Sequence, residues 1–214
     1  MIDTFLFDFD GVISDTESQY DKFWNTVGKK YFDNPDFARL LKGQTLKNIF
    51  ENYFKGIPVS ETAKIESDID EFEADMEFPL VKGVDTALRF LKEKRFKTAL
   101  VTSSPQKKLA KALLKTGTKN LFDTIVSSGD VVLGKPNPQC YLLAAQRLSS
   151  NPENCIVFED ALAGIAAGKA ANMFVVGVKT SLDEATLAPI SDATISDFTE
   201  FDSLFTHLKE LNLL

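Results

Sequence analysis

The chain has 214 residues, which corresponds to one enlarged domain or to a domain with an insertion, at roughly 100–200 residues per domain. Hydrophobic residues make up 44% of it, a fraction typical of globular proteins that argues against a disordered chain. It carries 24 Lys and Arg against 31 Asp and Glu, a formal net charge of −7. This balance argues against a protein that binds nucleic acid through a basic surface.

The cysteines and the N-terminal sequence predict the compartment in which the protein is located. Cys140 and Cys155 lie in no CxxC pattern, so we expect two reduced thiols rather than a disulfide framework or a zinc site. The N-terminus lacks a basic region and reaches Asp3 and Asp8 too early for a signal peptide. No apolar run approaches the roughly 18 residues that span a bilayer. We therefore expect a soluble cytoplasmic protein with no membrane partner.

Short apolar runs without polar alternation recur along the chain, as in strands buried on both faces of a parallel sheet. They cover residues 4–7, 99–101, 124–126, 156–158 and 174–176. Helical patterns lie between them, and Ser104-Pro105 and Asn137-Pro138 each supply a capping residue followed by Pro at the first helical position. The alternation from residue 81 to 178 predicts an α/β fold, a doubly wound, Rossmann-like parallel sheet.

Residues 15–80 interrupt this alternation because they contain no comparable apolar run and are rich in helix-forming and acidic residues. We interpret them as an inserted all-helical cap domain. The predicted organisation is an α/β core domain formed by residues 1–14 and 81–214, with the cap at 15–80.

Two carboxylates follow the first predicted strand, in Asp8-Phe9-Asp10-Gly11. Ligands of parallel α/β sheets bind beyond the carboxyl ends of the strands, so both side chains belong to that crevice. Such a pair suits a hard cation such as Mg²⁺, or a nucleophile beside a general acid/base. Taken alone, the pattern is equally consistent with a polar strand exit.

Three later strand ends carry further candidates. Thr102, Ser103 and Ser104 precede a helix and suit an anion such as phosphate, although a plain serine cap explains them as well. Lys135 lies in a turn before another helix, where a single lysine is usually solvated. Glu159 and Asp160 form a second acidic pair after the fourth strand.

This ordered set, Asp-x-Asp, then Thr/Ser, then Lys, then Glu-Asp, resembles the haloacid dehalogenase-like superfamily. The helical insertion after the first motif is also the arrangement of its subclass I. The stretches from Asp8 to Glu17 and from Phe158 to Gly164 are similar to the branch that contains β-phosphoglucomutases and sugar-phosphate phosphatases.

The resemblance implies roles for the matched residues. Asp8 would be the nucleophile that forms an aspartyl-phosphate, and Asp10 would protonate the leaving group and then activate water. Thr102, Ser103 and Lys135 would hold the phosphoryl oxygens. The Mg²⁺ ligands would be the following: Asp8, the backbone carbonyl of Asp10, Asp160, and Glu159 directly or through water.

The cap should select the substrate, a small phosphorylated metabolite. Its candidate contacts are Thr16, Glu17, Tyr20, Lys42, Gly43, Gln44 and Thr45. A helix-terminating Gly43 beside a solvated lysine explains part of this set equally well. Tyr20 and Leu46 stand where the related mutases carry histidine and arginine, so a phosphatase is favoured over a phosphosugar mutase.

Other functions remain open at this stage. The cap lysines, among them Lys22 and Lys47, leave Schiff-base chemistry open, although nothing marks one of them as desolvated. A regulatory α/β module without turnover would not need the whole set of acids, hydroxyl and lysine. We expect a monomer, with a dimer as the alternative.

Overall fold

The computed structural model describes residues 1–41 and 46–214, which divide into two compact units. The sheet unit consists of Met1–Asp15 and Phe78–Leu214, and the helical unit is Thr16–Glu77.

The helical unit contains, within the described residues, α1 (Glu17–Phe32), α2 (Ala38–Leu41), α3 (Leu46–Tyr53) and α4 (Val59–Asp75). Its core is aromatic and aliphatic, with Trp24, Phe37, Phe54 and Ile65 buried together. The last of these helices, α4, is rich in acidic residues; it buries Ile65 and Ile69, and its charged residues lie on the other faces. The helix is therefore stabilised by an apolar stripe despite its many charges.

The sheet unit is built on one parallel sheet. Its strands are β1 (Thr4–Phe7), β2 (Lys97–Val101), β3 (Thr124–Val126), β4 (Cys155–Glu159), β5 (Phe174–Val178) and β6 (Ala193–Ile195). Their spatial order, β3-β2-β1-β4-β5-β6, is that of a doubly wound Rossmann-like sheet. The predicted fold class is confirmed.

Helices cover both faces of this sheet: α5 (Val84–Glu93), α6 (Gln106–Thr116), α7 (Gln139–Arg147), α8 (Leu162–Ala170), α9 (Glu184–Leu187) and α10 (Phe201–Glu210). On one face Leu6 packs in a cluster with Val157 and Tyr141. The neighbouring residue Phe7 stacks on Phe158 at a centroid distance of 4.8 Å. Both faces of β1 are therefore buried, which explains the apolar run at residues 5–7.

The register of β1 against β4 places the candidate acids side by side. Phe7 pairs with Phe158, so Asp8 lies level with Glu159 at the carboxyl edge of the sheet. The backbone N–H of Asp8 donates to the Phe158 carbonyl at 3.1 Å and continues the pairing by one residue.

Within the described ranges, no helix is long and apolar enough to cross a membrane.

Candidate active site

Lys135 lies at the centre of the carboxylates at the carboxyl edge of the sheet. Its Nζ donates to Asp8 Oδ1 at 2.8 Å, to Glu159 Oε1 at 2.6 Å and to the Val101 carbonyl at 3.1 Å. The side chain is only 8% exposed, so the interpretation of Lys135 as a solvated surface lysine is wrong. Burial alone would lower the pKa of Lys135, but Asp8 and Glu159 outweigh it and raise the pKa above its ordinary value. The side chain is a fixed positive charge beside Asp8.

Glu159 is fully buried and accepts hydrogen bonds on both carboxylate oxygens. Oε1 accepts from Lys135 and, at 2.7 Å, from the hydroxyl of Tyr141. Oε2 accepts from the backbone N–H groups of Asp160 at 3.2 Å and Ala161 at 3.4 Å. These donors compensate the cost of burying the charge and fix the carboxylate in one orientation.

The backbone of α8 passes close to this carboxylate at a residue without a side chain. A Cβ atom on Gly164, in the first turn of α8, would lie 1.8 Å from Glu159 Oε1, so glycine is required there. Tyr141, in the first turn of α7, was not anticipated from the sequence. Burial raises the pKa of Tyr141 well above its ordinary value, and the neighbouring Glu159 adds to the shift, so the hydroxyl stays a donor.

Within the part of the chain that the structure describes, Asp10 is contacted by Lys108 of α6 and by Ser104, just before that helix. Lys108 Nζ lies 2.7 Å from Asp10 Oδ1 and 2.9 Å from Oδ2, and the hydroxyl of Ser104 donates to Oδ2 at 2.7 Å. The prediction that Ser104 caps this helix is wrong. The helix begins at Gln106 after Pro105, without a side-chain capping bond, because the Ser104 hydroxyl is used by Asp10.

Asp160 packs against the turn that follows Asp10. Gly11 has a φ of +74°, and a Cβ there would lie 1.8 Å from Asp160 Oδ2. The hydroxyl of Ser181 donates to the same carboxylate oxygen, and that of Thr180 donates to the Gly11 carbonyl at 2.5 Å. Both hydroxyl residues follow β5 and were missed, because only the fold brings this loop to the two acidic strand ends.

Asp8, Glu159 and Asp160 form a group that fits a divalent cation. Each offers a carboxylate oxygen, and the three oxygens lie within 4.8 Å of one another. Burial raises the pKa of Asp8 to about 7 although Lys135 opposes the shift, and the neighbouring Glu159 adds to it. Carboxylates that lie this close together away from water, with only oxygen atoms as donors, suit Mg²⁺. The ion would compensate their negative charge.

The predicted phosphate-binding residues follow β2. Thr102 is buried, and its hydroxyl oxygen accepts a hydrogen bond from the backbone N–H of Ser104 at 3.0 Å. Ser103 between them is exposed. The Val101 carbonyl that receives Lys135 immediately precedes Thr102, so this loop adjoins the lysine.

The predicted cap residues fall in the helical unit or outside the description. Thr16 is buried just before α1, where Glu17 is the first residue, and the Tyr20 hydroxyl donates to Glu73 at 2.6 Å. The other four, Lys42, Gly43, Gln44 and Thr45, lie outside the described residues.

Comparison with known proteins identifies the family to which this chain is similar. The family model of haloacid dehalogenase-like hydrolases matches residues 2–172. A phosphorylated carbohydrates phosphatase of Thermotoga maritima is 33% identical over 193 residues, covering 84% of this chain and 86% of that protein. A beta-phosphoglucomutase of Bacillus subtilis is 32% identical over 187 residues, covering 81% of each chain.

A solved structure agrees with these relatives. The crystal structure of a beta-phosphoglucomutase from Clostridium difficile superimposes with a TM-score of 0.77 at 28% identity, over 100% of both chains. The resemblance found in the sequence motifs is confirmed. The chain belongs to the haloacid dehalogenase-like hydrolases.

Proposed function

We propose that this protein is a Mg²⁺-dependent phosphatase that hydrolyses a small phosphorylated metabolite, a sugar phosphate, through an aspartyl-phosphate on Asp8. The observation that carries the proposal is the contact of Lys135 with Asp8. Asp8 directly follows β1 and lies two residues before Asp10. The name of the Thermotoga maritima relative supports phosphorylated carbohydrates as the substrate class.

Asp8 is the proposed nucleophile because its carboxylate is only 13% exposed, is contacted by Lys135 and belongs to the group of acids that fits a divalent cation. Attack of a carboxylate oxygen on phosphorus breaks the bond to the leaving oxygen and leaves the phosphoryl group on Asp8. Lys135 opposes the repulsion between the incoming phosphate and the carboxylate, since its ammonium stays charged. In this proposal Thr102 and Ser103 hold further phosphoryl oxygens.

Asp10 is the proposed general acid and base. It would donate a proton to the leaving oxygen and then remove one from the water that attacks the phosphorus of the aspartyl-phosphate. Its side chain is 23% exposed, which leaves it accessible to substrate and water while Lys108 and Ser104 contact it. A phosphatase of this kind needs positioning and charge neutralisation more than covalent chemistry.

Mg²⁺ would be held by Asp8, Asp160 and the backbone carbonyl of Asp10, where it supplies positive charge that stabilises the transferring phosphoryl group. Glu159 already accepts four hydrogen bonds from the protein, which favours its contact with the ion through water. Selection of the substrate by the helical unit remains a prediction.

A phosphosugar mutase is the second candidate, because a relative of 32% identity is a beta-phosphoglucomutase. The two activities differ in the fate of the phosphoryl group on Asp8. A mutase returns it to a sugar hydroxyl, whereas a phosphatase passes it to water. Related mutases carry an arginine where this chain has Leu46, and the loss of that arginine favours transfer of the phosphoryl group to water.

The proposal is tested by measuring phosphate release from hexose, pentose and polyol phosphates with Mg²⁺ and with EDTA. We expect Mg²⁺-dependent release that Asp8→Asn abolishes. The matched control is Asp85→Asn, which changes an acid on α5 whose side chain is 42% exposed, and should keep wild-type activity. Glucose 1-phosphate with a bisphosphate primer is the mutase arm, and formation of glucose 6-phosphate instead of free phosphate would reverse the order of the two candidates.

A further inference from the structure

Lys108 is a buried lysine that belongs to none of the four sequence motifs on which the family resemblance rests. It is the third residue of α6, and its side chain is only 4% exposed. Lysine is almost never buried unless it is paired, because an ammonium loses its hydration. The N-terminal turn of a helix also carries partial positive charge, which disfavours a cation further. Both costs require an anion at this position.

Asp10 supplies that anion, and the Ser104 hydroxyl forms hydrogen bonds with both Asp10 and Lys108. Lys108 Nζ contacts both carboxylate oxygens of Asp10, at 2.7 and 2.9 Å, and lies 3.1 Å from Ser104 Oγ. Ser104 in turn donates to Asp10 Oδ2 at 2.7 Å. Among the described residues, these two side chains hold the Asp10 carboxylate from one loop and the helix that follows it.

The site thus gives each aspartate of the Asp-x-Asp pair its own lysine. Lys135 contacts Asp8 and Glu159, and Lys108 contacts Asp10 from α6, on a different part of the chain. The two ammonium groups consequently serve different carboxylates. This separates the effect of losing Lys108 from the effect of losing the charge beside the nucleophile.

We propose that Lys108 and Ser104 are positioning residues for Asp10, and that Lys108 affects the reaction through the orientation of that carboxylate rather than by contact with the substrate. The inference rests on the proposed function, in which Asp10 is the general acid and base. A carboxylate displaced by about 1 Å from its productive position costs on the order of 100-fold in rate.

The test is a double-mutant cycle in phosphate release with Mg²⁺, using the best substrate of the screen. Lys108→Met is expected to lower kcat by roughly 10- to 100-fold, with KM changed by less than about 3-fold. In the Asp10→Asn background the same change should cost no more than about 2-fold, because the carboxylate it positions is already gone. The matched control, Lys107→Met, alters the neighbouring exposed lysine of α6 and should behave as wild type.

Conservative changes separate positioning from folding. Lys108→Arg retains a cation and should recover part of the lost kcat, while Ser104→Ala should lower kcat by about 3- to 10-fold. Circular dichroism and thermal melting establish that each variant folds. If Lys108→Met does not fold, Ser104→Ala with Asp10→Asn forms the cycle instead.

A structural measurement tests the proposal independently of turnover. In a crystal structure of the wild type, the Asp10 carboxylate should lie within hydrogen-bonding distance of Lys108. In a crystal structure of Lys108→Met, the same carboxylate should be displaced from that position. An unmoved Asp10, a raised KM with intact kcat, or losses that multiply in the double mutant would each overturn the proposal. The proposed function fails differently, by an inactive wild type or by a fully active Asp8→Asn.

Discussion

Replacement of Glu159 by glutamine tests the hydrogen-bonding argument for the site most severely. Four donors converge on the two carboxylate oxygens, two on each. Glutamine keeps one oxygen and replaces the other with an NH₂ group, which accepts no hydrogen bond. In either orientation of the amide, two donors therefore face a donor. The substitution also leaves the buried Lys135 with one anion fewer.

The size of the effect follows from burial. A buried donor without a partner costs about 1–3 kcal/mol, and breaking a buried ion pair costs about 3–5 kcal/mol when one charge is removed. Because Asp8 still pairs with Lys135, we expect Glu159→Gln to lower the free energy of unfolding by roughly 2–4 kcal/mol. This corresponds to a fall in Tm of about 5–15 °C for a chain of this size.

The assay is urea unfolding followed by far-UV circular dichroism, in EDTA so that metal binding does not contribute. Tyr141→Phe is the matched control, because it removes one donor to Glu159 and keeps the carboxylate. It should cost about 1–2 kcal/mol, less than Glu159→Gln. Equal stability of Glu159→Gln and wild type within about 0.5 kcal/mol would refute the reasoning.

Three further effects follow from the same structure. Gly164→Ala forces a Cβ to within 1.8 Å of Glu159 Oε1 and should cost about 1–3 kcal/mol in urea unfolding as well as activity, whereas Gly56→Ala, with open space around it, should cost neither. Because burial raises the pKa of Asp8 to about 7 and Mg²⁺ needs the carboxylate, Mg²⁺ affinity measured by calorimetry should rise between pH 6 and pH 8, and a flat profile contradicts this. A hydrogen bond from Arg147 lowers the pKa of Asp130 to about 2, so the pair stabilises the fold above about pH 4 and loses its effect as the pH falls toward 2. Asp130→Asn should therefore cost about 1 kcal/mol at pH 6 and less at pH 3, and an equal cost at both would count against the pair.

The sheet could be predicted because its strands have a local signature. β1 and β4 are buried at every position because both of their faces are covered, and this burial accounts for the apolar runs at residues 5–7 and 155–158. β6 and β3 are both three-residue edge strands, but only β3 was predicted. β3 is Thr-Ile-Val, with a β-branched residue at every position, whereas β6 is Ala-Thr-Ile and has a single large apolar residue. Short edge strands carry little of the apolar pattern on which such predictions depend.

The candidate site was predictable where residue types follow strand ends, as Asp8 and Glu159 do. Its supporting side chains were not, because their partners are distant in the chain. Lys108 lies 98 residues from Asp10. Nothing near it in the sequence shows that it is buried, although a cation in the first turn of a helix runs against the helix dipole and is a weak signal.

The hydroxyl of Ser104 illustrates a conflict between local and long-range bonding. Its position before Pro105 and α6 is typical of a capping residue, and the local pattern predicts that role. In the folded chain the hydroxyl bonds to Asp10 instead, across 94 residues of sequence. A charge-assisted hydrogen bond to a carboxylate is stronger than one to a neutral backbone N–H, so the tertiary contact prevails.

The central claim is that the phosphoryl group passes through Asp8. The most direct measurement is mass spectrometry of peptides from enzyme quenched in acid during turnover with Mg²⁺ and substrate. A peptide containing Asp8 should gain the mass of one phosphoryl group, and Asp8→Asn should show neither this adduct nor phosphate release. Phosphate release at the wild-type rate by Asp8→Asn, or an adduct on another residue, would contradict the account.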